Sequence, residues 1–204
     1  MLFDDTYRTI EKAAEGIFRD RGSKFLAFAY PINNETELKT NLTQLRSEHP
    51  KANHHCWAMR LTPDRSIFRI NDDGEPSGTA GRPILNTLLS HDLTNIAVVV
   101  VRYFGGTLLG VPGLINAYKL ATEEALKQAS VISRTVNDVY LIEFDYLQMN
   151  DVMRIIKEDA LEILTQSFDN NCSIQLSIRK MQVNQTLLKF SKLTGVIAKY
   201  KHSL

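Results

Sequence analysis

Two cysteines in 204 residues, Cys56 and Cys172, are too few and too far apart for a disulfide scaffold. Neither has a CxxC companion, which argues against a structural zinc site and leaves buried free thiols as the expectation. Charge of one sign is also missing. Lysine and arginine number 24 against 23 aspartate and glutamate, a formal net charge of +1. Before residue 136 there are 16 basic and 15 acidic residues, and after it eight of each, so neither half is a basic arm that would bind nucleic acid by phosphate neutralisation alone. No apolar run approaches the ~20 residues that span a bilayer, and MLFDDTYRTIEK has no basic segment leading into an apolar one. A cytoplasmic location is therefore expected. The chain lacks a GK[ST] phosphate loop, a G-x-G-x-x-G fingerprint and a G-x-S-x-G elbow, so the common nucleotide sites and covalent hydrolysis have no support.

What is present is ordinary globular material, 44% hydrophobic and 23% charged, enough for a sizeable core. The length admits one large domain or two small ones, since domains run to ~100–200 residues, and two are expected. TYRTIEKAAEGIFRDRG and SKFLAFAYPI predict an opening pair of strands turning at Gly22 and Ser23. NNETELKTNLTQLRSEHP predicts a helix capped by Asn33 or Asn34, with Leu38, Leu42 and Leu45 on one face and Pro50 at its end. HHCWAMRL and SIFRI predict paired strands turning between Thr62 and Arg65. RPILNTLLSHD predicts a short helix with Ile84, Leu85, Leu88 and Leu89 inward. The unbroken valines of NIAVVVVRYF fit a strand covered on both faces, and VPGLINAYKLATEEALKQAS a longer helix burying Leu114, Tyr118, Ala121 and Ala125. From residue 137 the order strand, helix, strand, strand, helix, strand is the ferredoxin-like βαββαβ plan, which places a boundary near residues 133 to 137.

Three stretches carry candidate chemistry. In DDGEPSGTAGRP the carboxylates of Asp72, Asp73 and Glu75 lie within four residues and could hold Mg²⁺ with water or phosphate, although the calcium-loop spacing fails. Turn and capping roles outweigh metal binding for such residues, with Ser77 or Thr79 as the cap of the next helix. An anion at that helix start would need a bridging cation or Arg82, because acids and anions repel. RYFGGTLLGVPG leaves the central strand through glycines Gly105 and Gly106. There Arg102 offers a phosphate contact, and Tyr103 and Phe104 offer stacking faces. His54, His55 and Cys56 resemble a metal cluster only until strand alternation is applied, which turns the two histidines to opposite faces.

These blocks resemble the YigZ/IMPACT family, in its bacterial two-domain type. The resemblance is carried by RGSKF at 21–25, A-x-H-x-C-x-A at 52–58, DDGEPSGTAGRPIL at 72–85, VVVVRYFGGTLLG at 98–110 and LINAY at 114–118. It implies an α+β chain. Residues 1–134 would form an IMPACT-type N-terminal α/β domain resembling the ribosomal-protein second-domain-like fold. Residues 137–204 would form a ferredoxin-like βαββαβ domain similar to the last domain of elongation factor G. It also implies a link to translation regulation, which eukaryotic members exert with an additional domain. Where the family usually reads LGTGGLVRAY, this chain has LGVPGLINAY, so Val111, Pro112 and Asn116 remove an N–H and a positive charge and should weaken any anion site there.

The expectation is a non-catalytic cytoplasmic protein binding RNA or a ribonucleoprotein. The candidate surface comprises Arg21, Lys24, His54, Asp72, Asp73, Glu75, Ser77, Thr79, Arg82, Arg102, Tyr103, Gly105 and Gly106. The alternatives are a metal-dependent enzyme on a phosphate-bearing or peptide substrate, with Mg²⁺ on the three acids, and a protein-partner adapter.

Overall fold

The computed structural model describes residues 5–168 and 172–203. Its backbone clusters into two compact units, one running from Tyr7 to Arg134 and the other from Thr135 onward together with the N-terminal residues through Thr6.

The first unit is built on an antiparallel sheet. The chain enters with β1 (Thr6–Ile10), β2 (Ala14–Asp20) and β3 (Ser23–Pro31), then α1 (Glu35–Glu48), β4 (His54–Leu61) and β5 (Ile67–Asn71). It continues through α2 (Gly81–Ser90), β6 (Ile96–Tyr103), α3 (Gly110–Gln128) and β7 (Val131–Thr135). The sheet order is β2-β3-β6-β4-β5, with β1 and β7 paired apart from it. The single opening strand expected from TYRTIEKAAEGIFRD is thus two strands with separate partners. The hairpin turn also differs from expectation. Asp20 pairs with Ser23, so the turn residues are Arg21 and Gly22, both at positive φ.

Covering both faces of β6 explains its unbroken valines. Val98 and Val100 pack beneath α2 and α3, while Val99 and Val101 pack beneath α1. All four are completely buried, and each such side chain contributes about 1.5–3 kcal/mol relative to exposure. Helix α1 starts as its sequence dictates, with Asn34 Oδ1 accepting from Glu37 N and with Leu38 and Leu45 inward. In α2, Ile84, Leu85 and Leu88 are buried, but Leu89 lies on the exposed side, since the buried face centres on Ile84 and Leu88 and takes in Pro83 and Thr87, which turns Leu89 past its edge.

The second unit follows the expected order: β8 (Asn137–Phe144), α4 (Met149–Glu158), β9 (Glu162–Phe168), β10 (Cys172–Arg179), α5 (Val183–Ser191) and β11 (Ile197–Ser203). Its sheet order, β11-β8-β10-β9, with every pairing antiparallel, is that of a split βαβ sandwich. The last residue of the ALEILTQSFD prediction, Asp169, lies outside the described residues. Ile142, Ile174, Leu176, Val152, Ile156 and Phe190 make its core. Asp5 joins this unit rather than the first because its buried carboxylate accepts from Arg179 Nε at 2.8 Å and Nη2 at 2.9 Å. No described helix is long and apolar enough to cross a membrane.

Candidate functional site

The central strand β6 delivers Arg102 to the end of the sheet, where its neighbour β4 delivers His54 opposite it. The acidic loop closes over both. Arg102 Nη1 donates to Glu75 Oε1 at 2.6 Å, with the two side chains only 6% and 3% exposed. Burying such a pair costs desolvation energy that the pairing must repay with good geometry and further hydrogen bonds. Both are supplied here. The guanidinium lies 5.4 Å from the Phe25 ring centroid and 5.6 Å from that of Phe104, and Tyr118 of α3 donates its hydroxyl to the same Glu75 oxygen at 2.7 Å.

Beneath this pair Cys56 donates to Tyr118 Oη at 3.3 Å and to the Asp72 carbonyl at 3.0 Å. Burial above all pushes the Cys56 thiol up, with the nearby carboxylates adding to it. Burial likewise raises the Tyr118 phenol, reinforced by Cys56 and Glu75. Both stay protonated at neutral pH, so Cys56 is a hydrogen-bonding core residue and not a nucleophile.

The three loop acids diverge. Asp72 turns under the start of α2: its Oδ1 accepts from Ala80 N at 3.1 Å and Gly81 N at 2.8 Å, and its Oδ2 accepts from Gly78 N at 2.8 Å. The cap expected of Ser77 or Thr79 is therefore supplied by a residue eight positions upstream. Thr79 is buried and donates to Pro76 O, and Ser77 is exposed. Asp73 faces the α1 side, where it accepts from Arg46 Nη2 at 3.0 Å and from His55 N at 2.6 Å. Among the described residues no group of three His, Cys, Asp or Glu side chains is placed to hold a metal ion.

The RYFGG turn completes the picture. Gly105 lies against the β2–β3 hairpin so tightly that a Cβ on it would sit 1.9 Å from the Gly22 carbonyl carbon. Only glycine fits there. Asn53 Oδ1 accepts from Phe104 N at 2.9 Å and pins the turn to β4. Between these elements and the start of α3 opens a cleft of about 450 Å³. Its lining includes Asn53, His54, Glu75, Pro76 and Arg102 together with the apolar Phe104, Leu108, Leu109, Val111 and Leu114.

Of the predicted residues, His54, Glu75 and Arg102 meet in this cleft. Arg21 and Lys24 sit on the adjoining hairpin, and Gly106 follows Gly105 with positive φ and open space around it. Arg82 lies elsewhere, in a groove between α2 and α3 with Lys119 and Glu123. Tyr103 points to the α1 side, its hydroxyl 2.9 Å from His49 Nδ1. The candidate residues therefore do not form one surface: Tyr103 and Arg82 lie apart from Arg102, because adjacent strand residues face opposite ways and α2 carries Arg82 into a separate groove.

The Impact N-terminal domain matches residues 21–126, which takes in every residue that lines the cleft. The chain belongs to the IMPACT family. An IMPACT family member of Haemophilus influenzae is 34% identical over 163 residues, 79% of this chain and 79% of that relative. Among solved structures, a hypothetical protein is similar over 95% of this chain and 96% of its own, with a TM-score of 0.72 and 25% identity. A two-domain translational regulator, Yih1, is 29% identical where it aligns, over 63% of this chain and 49% of its own, with a TM-score of 0.36. In this IMPACT chain one of the three departures in LGVPGLINAY, Val111, lines the cleft. Pro112 sits in the first turn of α3, where its missing N–H costs nothing. Val111 is 52% exposed and adds to the apolar rim, and Asn116 is exposed.

The other strand histidine yields a pH dependence. Burial lowers the His55 pKa from its ordinary 6.5, outweighing the upward pull of the Asp73 carboxylate. The folded protein then disfavours the imidazolium more than the unfolded chain does, so this contribution to stability is complete above about pH 6.5. It is lost as pH falls through the folded value. Urea unfolding between pH 7.5 and pH 5 should show a steeper loss of stability for the wild type than for His55→Gln.

Proposed function

We propose that this chain is a non-catalytic adapter tied to translation, which docks a protein partner over the cleft at the sheet end. One observation carries the reading. Phe104, Leu108 and Val111 are 44%, 81% and 52% exposed and rim a cleft whose own charges, Arg102 and Glu75, already neutralise each other. Exposed apolar groups around a concave site mark protein docking surfaces. A phosphate-binding site instead needs cations that are not already spent. The tie to translation rests on family membership.

A second reading, RNA binding, has one observation in its favour. Arg21 and Lys24 stand on the hairpin that packs against Gly105, and neither forms an ion pair among the described residues.

Capture from cell extract by the immobilised chain, with and without nuclease, separates the two. The docking reading expects capture of the partner to survive nuclease and to fall by about tenfold in Leu108→Asp, the loss expected on truncating one anchor of an interface. Capture abolished by nuclease and by the Arg21→Glu/Lys24→Glu double variant, but indifferent to Leu108→Asp, would hand the site to RNA.

A further inference from the structure

Resting on the docking reading above, we infer that the cleft receives an aromatic side chain carrying a hydrogen-bond donor, an indole or a phenol, presented by the protein partner, with His54 as its acceptor.

The inference begins with the orientation of one ring. His54 Nδ1 lies 2.8 Å from the Asp73 carbonyl oxygen. A carbonyl only accepts, so Nδ1 carries the hydrogen and Nε2 of the neutral ring is a bare acceptor. Among the described residues, that nitrogen has no hydrogen-bond donor. Glu75 Oε1 stands 3.9 Å from it, beyond hydrogen-bond reach and itself an acceptor already serving Arg102 and Tyr118. His54 remains 25% exposed at its side chain and lines the cleft. On the polar floor, beside the paired Arg102, His54 Nε2 is therefore an acceptor that asks for a donor.

The walls select among donors. Phe104, Leu108, Leu109, Val111 and Leu114 surround the floor with apolar surface, which suits a broad apolar body and leaves a strongly hydrated head group uncompensated. A carboxylate or phosphate would bring more acceptors against His54 and Glu75. Lysine or arginine would set a second cation beside the Arg102 guanidinium. An aliphatic side chain or phenylalanine would fill the volume yet seal His54 Nε2 away from water without a partner. Tryptophan and tyrosine combine an apolar ring with one neutral donor at its edge, and both are enriched among the anchors of protein interfaces.

The test compares ligand pairs on the wild-type full-length chain, so it does not depend on a variant that folds. Isotope-labelled protein is titrated with N-acetyl-tryptophanamide and its 1-methylindole counterpart, and with N-acetyl-tyrosinamide and N-acetyl-phenylalaninamide, while backbone amide shifts are followed by NMR. The inference expects shifts at Asn53, His54, Phe104, Leu108, Leu109, Val111 and Leu114, with about tenfold tighter binding by the donor-bearing member of each pair. In His54→Phe the discrimination should vanish while the cleft still binds. Equal affinities within a pair would overturn the donor assignment and leave docking intact. Shifts confined to other surfaces, or no binding by any probe, would overturn it as well. The docking reading fails separately, if capture is indifferent to Leu108→Asp.

Discussion

Replacing Glu75 with alanine is expected to lower the unfolding free energy by about 3–5 kcal/mol, the cost of breaking a buried ion pair from one side. The carboxylate is nearly sealed from solvent and receives both Arg102 Nη1 and the Tyr118 hydroxyl. Removing it strands a guanidinium between two aromatic rings and leaves a phenol without an acceptor. The Arg102 Nε already has no hydrogen-bond partner among the described residues, so little slack remains to absorb the change. Urea unfolding measures the loss. The double variant Glu75→Leu/Arg102→Met should lie much closer to the wild type, because exchanging a whole buried pair for apolar groups of similar volume is often near neutral. A single-variant cost below about 1 kcal/mol, the worth of an exposed ion pair, would contradict a buried pair at this position.

The second large effect is expected at Asp72. Its carboxylate accepts three backbone N–H groups at and before the first turn of α2, a helix whose own N-cap position, Ala80, has no side chain that can serve. Asp72→Ala should therefore cost about 1.5–3 kcal/mol, the worth of hydrogen bonds to a charged group, with the helix dipole adding to the loss. Asp72→Asn keeps one acceptor oxygen for Ala80 and Gly81 and should cost less. Comparison of the two by urea unfolding, with exchange of the α2 amides followed by NMR, separates the cap from a general packing defect. Equal costs in both variants would indicate that charge, not the acceptor geometry, is what the loop needs.

Much of the fold was legible because its signals are local. Asn34 caps α1 three residues before Glu37, the valines of β6 declare a strand with two covered faces, and the C-terminal order of strands and helices admits few packings. The first strand was misjudged because the break near Glu11 carries no glycine or proline. Only long-range pairing, such as Glu11 N to Ser130 O, divides the segment. The cap of α2 was missed for a similar reason. Sequence reasoning looks for a capping side chain next to the helix, while the loop folds back to bring one from Asp72.

The site was half legible. Acidic and glycine-rich blocks pointed to the end of the sheet where the cleft opens, but residue types alone could not show which carboxylate would cap, which would pair and which would face the cleft. Tyr118 looked like another core residue at helical spacing, and it is one, yet its hydroxyl holds the ion pair in place. Leu108 passed as a loop residue in GTLLG. Its signal was the oddity of two adjacent leucines between glycines, one of which, Leu109, is buried while Leu108 is left exposed at the rim.

The most direct test of the central claim is photocrosslinking from the cleft itself. A photoreactive amino acid is placed at Leu108, and as a control at Ile17, which is 55% exposed on the edge strand β2. Both proteins are irradiated in nuclease-treated extract. A discrete protein adduct at position 108, absent at position 17 and suppressed by excess unlabelled wild-type chain but not by its Phe104→Ala form, is the predicted result. Adducts equally abundant at both positions, or an adduct at 108 that is nucleic acid when nuclease is omitted and disappears when it is added, would contradict the account.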